Sequence, residues 1–361
     1  LVMDVGGGSA QVSQVRRGGF RRGVTAPLGA VRLTEMYLAG SPVKRADIAR
    51  LADHVESTFK MVDWMEVGKG EAFVGLGGTA RSLARMDLAA RGYPLEIVNG
   101  YELELRRVEK MIDRLRVLPV EARARKVPGL QPDRADIILA GAIAVAGALR
   151  RAGAERMLVS GQGLREGLFY REFLRGAEPA AIRDLREFSV LNLARLYGYE
   201  AVHAEHVTRL ALAMFDQLAR RHRYGALERE CLWAAGQLHD IGMVVDYYDH
   251  HRHSAYLILS SGLPGYSHRE TALIALLCLY HRKGRPAMQP HDRLLEKGDG
   301  ERVLRLGALL RLAEYLDRSR AQLVKRLRIR IDGRQARLTA YAHTEAQARV
   351  EVWEAQHNAD L

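Results

Sequence analysis

The sequence is poor in the features that mark secreted, membrane-spanning or nucleic-acid-stacking proteins. Cysteine occurs only twice in 361 residues, at Cys231 and Cys278, and the two form no Cys-x-x-Cys pair. That excludes a disulfide-built scaffold and a zinc ribbon, and it reads as two reduced core thiols in a cytoplasmic protein. The longest weakly polar run, Ile137 to Leu149, is too short to span a bilayer and predicts a buried helix rich in Ala and Gly. The tryptophans, Trp64, Trp233 and Trp353, are scattered and build no base-stacking platform, so no specific nucleic acid is expected. Internal repeats and low-complexity segments are also missing.

What is present is an ordinary globular composition, 48% hydrophobic and 27% charged, with length for two or three domains. Lys and Arg number 55 against 43 Asp and Glu, a formal net charge of +12. Such an excess favours anionic partners. Nucleic acid, anionic membrane and polyphosphate all satisfy it, so charge alone does not choose among them.

Residues 1–175 read as α/β. Leu1 to Met3 is a strand that enters Asp4-Val5-Gly6-Gly7-Gly8-Ser9, and Gln11 to Val15 is a returning strand. Helical periodicity runs from Ala46 to Met65. A strand over Glu71 to Val74 leads into Gly75-Leu76-Gly77-Gly78-Thr79 and a helix from Ala80. Met157 to Val159 is a strand leading into Ser160-Gly161-Gln162-Gly163 and a helix near Leu164. The segment Arg171 to Pro179 is the expected junction. Residues 180–323 read as nearly all helix, with apolar positions such as Val207, Leu210, Ala211, Met214 and Leu218 at three- and four-residue spacing. In 324–361, alternation at Leu327, Ile329 and Ile331, the turn Asp332-Gly333, and Leu338 to Tyr341 predict a hairpin. Because Leu1 falls inside a strand, the chain is expected to be the remainder of a longer one.

Three glycine turns each follow a short apolar strand. Without Cβ, a backbone can approach an oxyanion closely, and successive N–H groups can converge on it. Asp4, at a strand end, can associate with Mg²⁺ through water. Thr79 opens a helix, whose N-terminal N–H groups and dipole favour phosphate. One such turn is more often just a tight turn; three at strand ends of one sheet converge on a crevice.

At these residues the sequence resembles the exopolyphosphatase and guanosine pentaphosphate phosphohydrolase (Ppx/GppA) family. The matching segments are Leu1 to Ser9, Gly75 to Arg81, Pro128-Gly129-Leu130 with Arg134-Ala135-Asp136, Ser160 to Gly167, and, in the helical half, Leu238-His239-Asp240-Ile241-Gly242, His253 to Tyr256 and Tyr280 to Lys283. The resemblance implies an α/β actin-like ATPase (ribonuclease H-like) fold, incomplete at its N-terminus, then an all-α HD-like domain and a short β/α tail. It implies a cytoplasmic, homodimeric hydrolase in which water attacks a terminal phosphorus. Polyphosphate or guanosine penta- or tetraphosphate is the expected substrate. Asp4 would be the metal-associated carboxylate; Gly6, Gly7, Gly8, Ser9, Gly77, Gly78 and Thr79 would cradle phosphate, joined by Ser160 and Gly163. The family's upstream segment, with its catalytic glutamate, has no counterpart here. Where the family continues with Ser-Thr-Glu, Ser9 is followed by Ala10 and Gln11, and Gln11 cannot act as a base. The isolated chain is therefore expected to be a poor or inactive hydrolase.

The helical half also resembles the HD metal-dependent phosphohydrolases. By that resemblance His206, His239, Asp240 and Asp317 would hold a second divalent metal, with His253, His281 and Arg282 near the substrate. Imidazole and carboxylate facing one helical core suit such an ion, although histidines on apolar faces are commonly satisfied core residues. Two alternatives accompany the hydrolase reading: a nucleotide phosphohydrolase centred on the helical half, and a non-catalytic polyphosphate- or alarmone-binding module. The basic runs at Arg16, Arg17, Arg21 and Arg22 and at Arg282, Lys283 and Arg285 read as solvated surface that can also guide a polyanion.

Overall fold

Alternation decides the first strand. Leu1, Met3 and Val5 are buried, while Val2 and Asp4 turn to the other face. In the computed structural model, which describes all residues except 17, 39, 41–42, 177–180, 283, 285–286, 334, 343–347 and 359–361, the chain forms two compact units, Leu1–Arg183 and Asp184–Leu361. Arg17, Pro179, Lys283 and Arg285, named above, lie outside the described residues.

The first unit holds a six-stranded sheet of β1 (Val2–Val5), β2 (Ala10–Arg16), β3 (Gly19–Ala26), β4 (Val74–Leu76), β5 (Tyr101–Glu104) and β6 (Arg156–Val159), in the order β3-β2-β1-β4-β6-β5. β1 pairs antiparallel with β2, so that Asp4 faces Gln11, and parallel with β4, where Asp4 meets Leu76. β4 in turn pairs parallel with β6, Gly75 opposite Val159. Three parallel strands therefore end side by side at one sheet edge, and each carries one of the glycine turns. The strand expected over Glu71 to Val74 lies at Val74–Leu76 instead, where all three residues pair with β1 and Val74 and Gly75 also pair with β6.

The helices of this unit are α1 (Ala30–Tyr37), α2 (Arg45–Lys60), α3 (Gly77–Arg91), α4 (Leu105–Arg116), α5 (Val120–Lys126), α6 (Ile138–Arg151) and α7 (Leu164–Phe173). α6 is the central one. Its small residues, Ala140, Ala142, Ala144, Ala146 and Ala148, are wholly buried and let α1, α2, α3 and α4 close around it.

The second unit contains α8 (Leu185–Leu196), α9 (Ala201–Gln217), α10 (Ala219–His222), α11 (Ala226–Leu238), α12 (His250–Ser261), α13 (His268–Tyr280), α14 (Asp299–Tyr315) and α15 (Arg349–His357), with a hairpin of β7 (Val324–Asp332) and β8 (Gln335–Ala342). Asp184 starts it by accepting the Glu187 amide at 2.9 Å, and Ser267 caps α13 in the same way through Glu270. Val324, Leu327, Ala348 and Ala355 join its core, so the C-terminal hairpin and helix belong to the helical unit. Cys231 and Cys278 are buried and free; burial pushes the Cys231 thiol up to about 12, which keeps it protonated. None of the described helices is long and apolar enough to cross a membrane.

Candidate functional site

The first glycine turn is closed by the Gly6 amide donating to the Ser9 carbonyl at 2.9 Å. Its carbonyls face α1: Gly6 O accepts from Ala30 N, and Gly7 O from Val31 N and Arg32 N, at 2.9–3.1 Å. The turn thus satisfies donors that a helix start leaves open. Gly29 permits this, since a Cβ there would overlap Gly7 O and Ser9 N. Gly7 and Gly8 border a shallow cavity of about 610 Å³ with Val31, Arg32, Glu35 and Met36.

The second turn meets the first. Gly77 opens α3 at φ +80°, and a Cβ on it would run into Asp4 Oδ1. Only glycine allows the carboxylate and the start of the helix to lie this close. No side chain caps α3, a helix of fifteen residues, so its first amides and its dipole are available to an anion. Thr79 is buried and donates its hydroxyl to Val5 O at 3.0 Å; it ties the two turns together and has no free hydroxyl hydrogen for a phosphate. Gln11 is exposed and pairs with Asp4 across the ladder, so both side chains stand on one face.

The third turn differs. Gly161 N donates to Asn99 Oδ1 at 2.9 Å, Gln162 N to Ser160 Oγ at 3.0 Å, and Gly163 N to Glu166 Oε2 at 2.7 Å. Ser160 and Gly163, expected to grip phosphate, have these donors and acceptors committed within the turn. What the turn does instead is hold Arg81, whose Nη1 donates to Gly161 O at 3.2 Å.

Beside Gly78 lies a cavity of about 430 Å³ where Arg81, Arg85, Arg134 and Arg165 outnumber the carboxylates of Asp133 and Glu166. Arg134 reaches to 3.2 Å from where a Gly78 Cβ would stand. Its loop is held from beneath by Arg123, 1% exposed, which donates to Leu115 O, Leu118 O and Ala135 O at 2.9–3.3 Å. Arg81, Arg134 and Arg165 lie in the segments that carry the family resemblance, but nothing in the sequence pattern shows that they share this cleft with Arg85.

In the helical unit, α9, α11, α12, α13 and α14 bring His203, His239, Asp240, His250, His281 and Glu314 together. His239, His250 and His281 donate Nδ1–H to Gly236 O, Tyr247 O and Cys278 O at 2.6–2.7 Å. Their Nε2 atoms then face Asp240 Oδ1 at 3.6, 3.2 and 3.7 Å. Glu314 Oε2 lies 3.1 Å from His203 Nε2 and 3.2 Å from His239 Nε2. His203–His239–Asp240 and Asp240–His250–His281 are each grouped tightly enough to hold one ion.

The expected ligand set is corrected at two positions, His206 and Asp317. His206 stands outside: its Nε2 is 3.9 Å from Asp317, and its Nδ1 accepts from Arg209 at 3.0 Å. His203, one turn earlier on α9, takes its place. Asp317 orients instead of facing the other ligands, with Oδ2 on His203 Nδ1 at 2.8 Å and Oδ1 accepting the Gln322 amide at 2.8 Å. His253 is half-buried and makes none of these contacts; His250, one turn before it, does. Arg282 donates to Tyr248 O at 3.0 Å and stacks over Tyr247.

Charge in the cluster follows from its neighbours. Burial opposes a proton on His203, but Asp317 and Glu314 prevail and lift it to about 9. Burial and the nearby charge on His239 press His281 down to about 3, so it is neutral. Burial also opposes ionisation of Glu314, yet its bond to His203 and the His239 imidazole beside it hold it well below the usual carboxylate range.

A divalent ion suits these donors. His239 Nε2 and Asp240 Oδ1 are buried with no hydrogen-bond partner among the described residues, and His250 and His281 point Nε2 at each other at 3.2 Å. With both Nδ1 atoms spent as donors, the facing nitrogens need a proton or a cation between them.

Residues 1–176 match the family model described as the Ppx/GppA phosphatase family, and residues 185–357 match that of Ppx/GppA phosphatase, domain III. The chain belongs to the Ppx/GppA phosphatase family. Similar solved structures include the Aquifex aeolicus Ppx/GppA family member, at 29% identity, TM-score 0.44, covering 48% of this chain and 56% of that one. An exopolyphosphatase from Cytophaga hutchinsonii matches at 20% identity, TM-score 0.41, covering 47% and 55%. The chain thus spans little more than half the length of these relatives. Within this Ppx/GppA chain, the two family segments fall on the two compact units of the fold.

Proposed function

We propose that this Ppx/GppA chain carries the phosphate-gripping part of a hydrolase that releases terminal orthophosphate from inorganic polyphosphate, guanosine pentaphosphate or both. One observation carries the reading: Asp4 lies against Gly77 at the edge where three parallel strands end, next to an uncapped helix start. The donor type and the cradle cleared by glycine fit Mg²⁺ at Asp4, and when bound the ion supplies neutralisation of phosphate charge. The chain's own residues do the rest. The first amides of α3 donate to the terminal phosphate, together with those of Gly7 and Gly8. Arg81, Arg85, Arg134 and Arg165 take the trailing phosphates of a polyanion, which is why a chain or a nucleotide polyphosphate suits the site better than a lone monoester. Gln11 stands where a carboxylate would face the substrate, and its amide takes no proton.

A second reading is favoured by the converging Nε2 atoms of His239, His250 and His281. In it the helical unit is an HD-type, metal-dependent phosphohydrolase centre, with His203, His239, Asp240, His250 and His281 holding the ion and Glu314 beside them. When bound, that ion supplies Lewis-acid polarisation of a phosphoryl oxygen.

Phosphate release and polyphosphate binding, measured on wild type, Asp4→Ala and Asp240→Ala with polyphosphate and guanosine pentaphosphate, separate the readings. Loss of release in Asp4→Ala alone supports the first. Loss in Asp240→Ala alone transfers the chemistry to the helical unit. Tight binding without release in every protein leaves a binding module.

A further inference from the structure

The two oxygens of Asp240 are not equivalent. Oδ1 faces three imidazole nitrogens at 3.2–3.7 Å, is buried, and accepts no hydrogen bond among the described residues. Oδ2 has the Arg320 Nη2 at 2.5 Å and the His203 Nε2 at 3.8 Å. The guanidinium therefore stands on the side of Asp240 where His203 points, and it also touches Met243 Sδ at 3.4 Å.

Arg320 reaches this place from an unusual backbone. Its φ is +58°, in the left-handed region that a residue with a Cβ seldom enters, within the turn that follows α14. Asp317 Oδ1, three residues earlier, accepts the Gln322 amide and so fixes the same turn. The side chain has a second anionic partner in Glu200, which is half exposed, so its charge stays paired if it leaves Asp240. A guanidinium and a divalent ion held on the same carboxylate oxygen repel each other across a short distance in a buried site, so each weakens the hold of the other.

Resting on the cation reading of this cluster, we propose that Arg320 occupies the second of two cation positions on Asp240. The centre then admits one divalent ion, on the Oδ1 side, among Asp240, His250 and His281. A second, held among His203, His239 and Asp240, enters only when Arg320 lets go of Asp240 and keeps Glu200. Arg320 is thus a gate on metal stoichiometry, and Asp240 is the bridging ligand once the gate opens. The ions concerned are those that accept imidazole and carboxylate together, such as Mn²⁺, Co²⁺ or Zn²⁺. An anionic group that pairs with Arg320 opens the same gate, which couples ligand binding to loading of the second ion.

Titration calorimetry with Mn²⁺, backed by metal analysis after dialysis, tests this on the full chain. Wild type is expected to bind one ion per chain. Arg320→Gln is expected to bind two, or to bind the second at least tenfold more tightly than wild type does. Arg320→Lys, which keeps a positive charge over Oδ2, is expected to behave like wild type and also guards against a folding loss in the Gln variant. Equal stoichiometry and affinity in wild type and Arg320→Gln overturns the gate while leaving the cation centre in place. No Mn²⁺ bound by wild type or Arg320→Gln overturns the centre itself, and the gate with it.

Discussion

The glycine turns of the first unit and the histidine cluster of the second are built from opposite materials. The turns are open, and what they offer an anion is backbone: amides at a helix start, brought near Asp4 because glycine leaves room. The cluster is closed, and what it offers is side chains, with His239 wholly buried and Asp240 8% exposed. A backbone site depends on conformation, so it is lost when a Cβ intrudes. A side-chain site depends on charge balance, so it is tuned by protons and by competing cations. The first is open to water and suits a large, flexible anion; the second is shielded from water and suits a small ion.

The sharpest way to break this contrast is Gly77→Ala. The added methyl meets Asp4 and the backbone must leave φ +80°, so phosphate release and terminal-phosphate binding are expected to fall by about 100-fold, comparable to losing an oxyanion donor. Metal content in the helical unit should not change. Retained phosphate binding would show that the site does not depend on this close approach.

Next in size is the arginine cleft. Arg85→Ala with Arg134→Ala is expected to weaken polyphosphate binding by about tenfold, on the scale of one lost charge-assisted bond. The salt dependence of binding should become shallower, while affinity for orthophosphate stays the same. An equal loss for orthophosphate would mean that these arginines act at the terminal phosphate and not along the chain.

The smallest effect concerns pH and the metal-free cluster. His203 is raised to about 9 in the folded chain, so its contribution is complete below about 6.5 and is lost as pH rises through 9. His281 is lowered to about 3, so folding costs more as pH falls below about 6.5 toward 3. With chelator present, thermal melts of the helical unit's signal should therefore show an optimum near neutrality. A melting temperature that climbs steadily toward pH 9 would contradict the assigned His203 partners.

Much of the first unit was legible beforehand, because strand alternation and glycine spacing are local signals. β1, the returning β2, β6 and the helix starting at Leu164 lie where they were expected, whereas α3 starts at Gly77, three residues before the expected Ala80. Legibility ended where partners come from far along the chain. The third turn is spent internally because Asn99, some sixty residues earlier, takes the Gly161 amide, and no turn pattern carries that. In the helical unit, periodicity chose the buried faces and no more. His203 and His206 share one face of α9, as do His250 and His253 on α12, three residues apart in each case, and spacing cannot separate such pairs. Glu314 was missed because a carboxylate among Leu and Ala on α14 reads as surface until His203 and His239 are seen against it.

Arg123 has a consequence for any attempt to retune the cleft. One interior side chain fastens the end of α4, the loop after it and the segment bearing Arg134 to a common anchor. The aim of Arg134 is therefore decided from inside the fold, as a hinge pin decides the swing of a door. Changing ligand preference by exchanging surface residues leaves that aim unaltered, whereas shortening Arg123 redirects the rim without touching it.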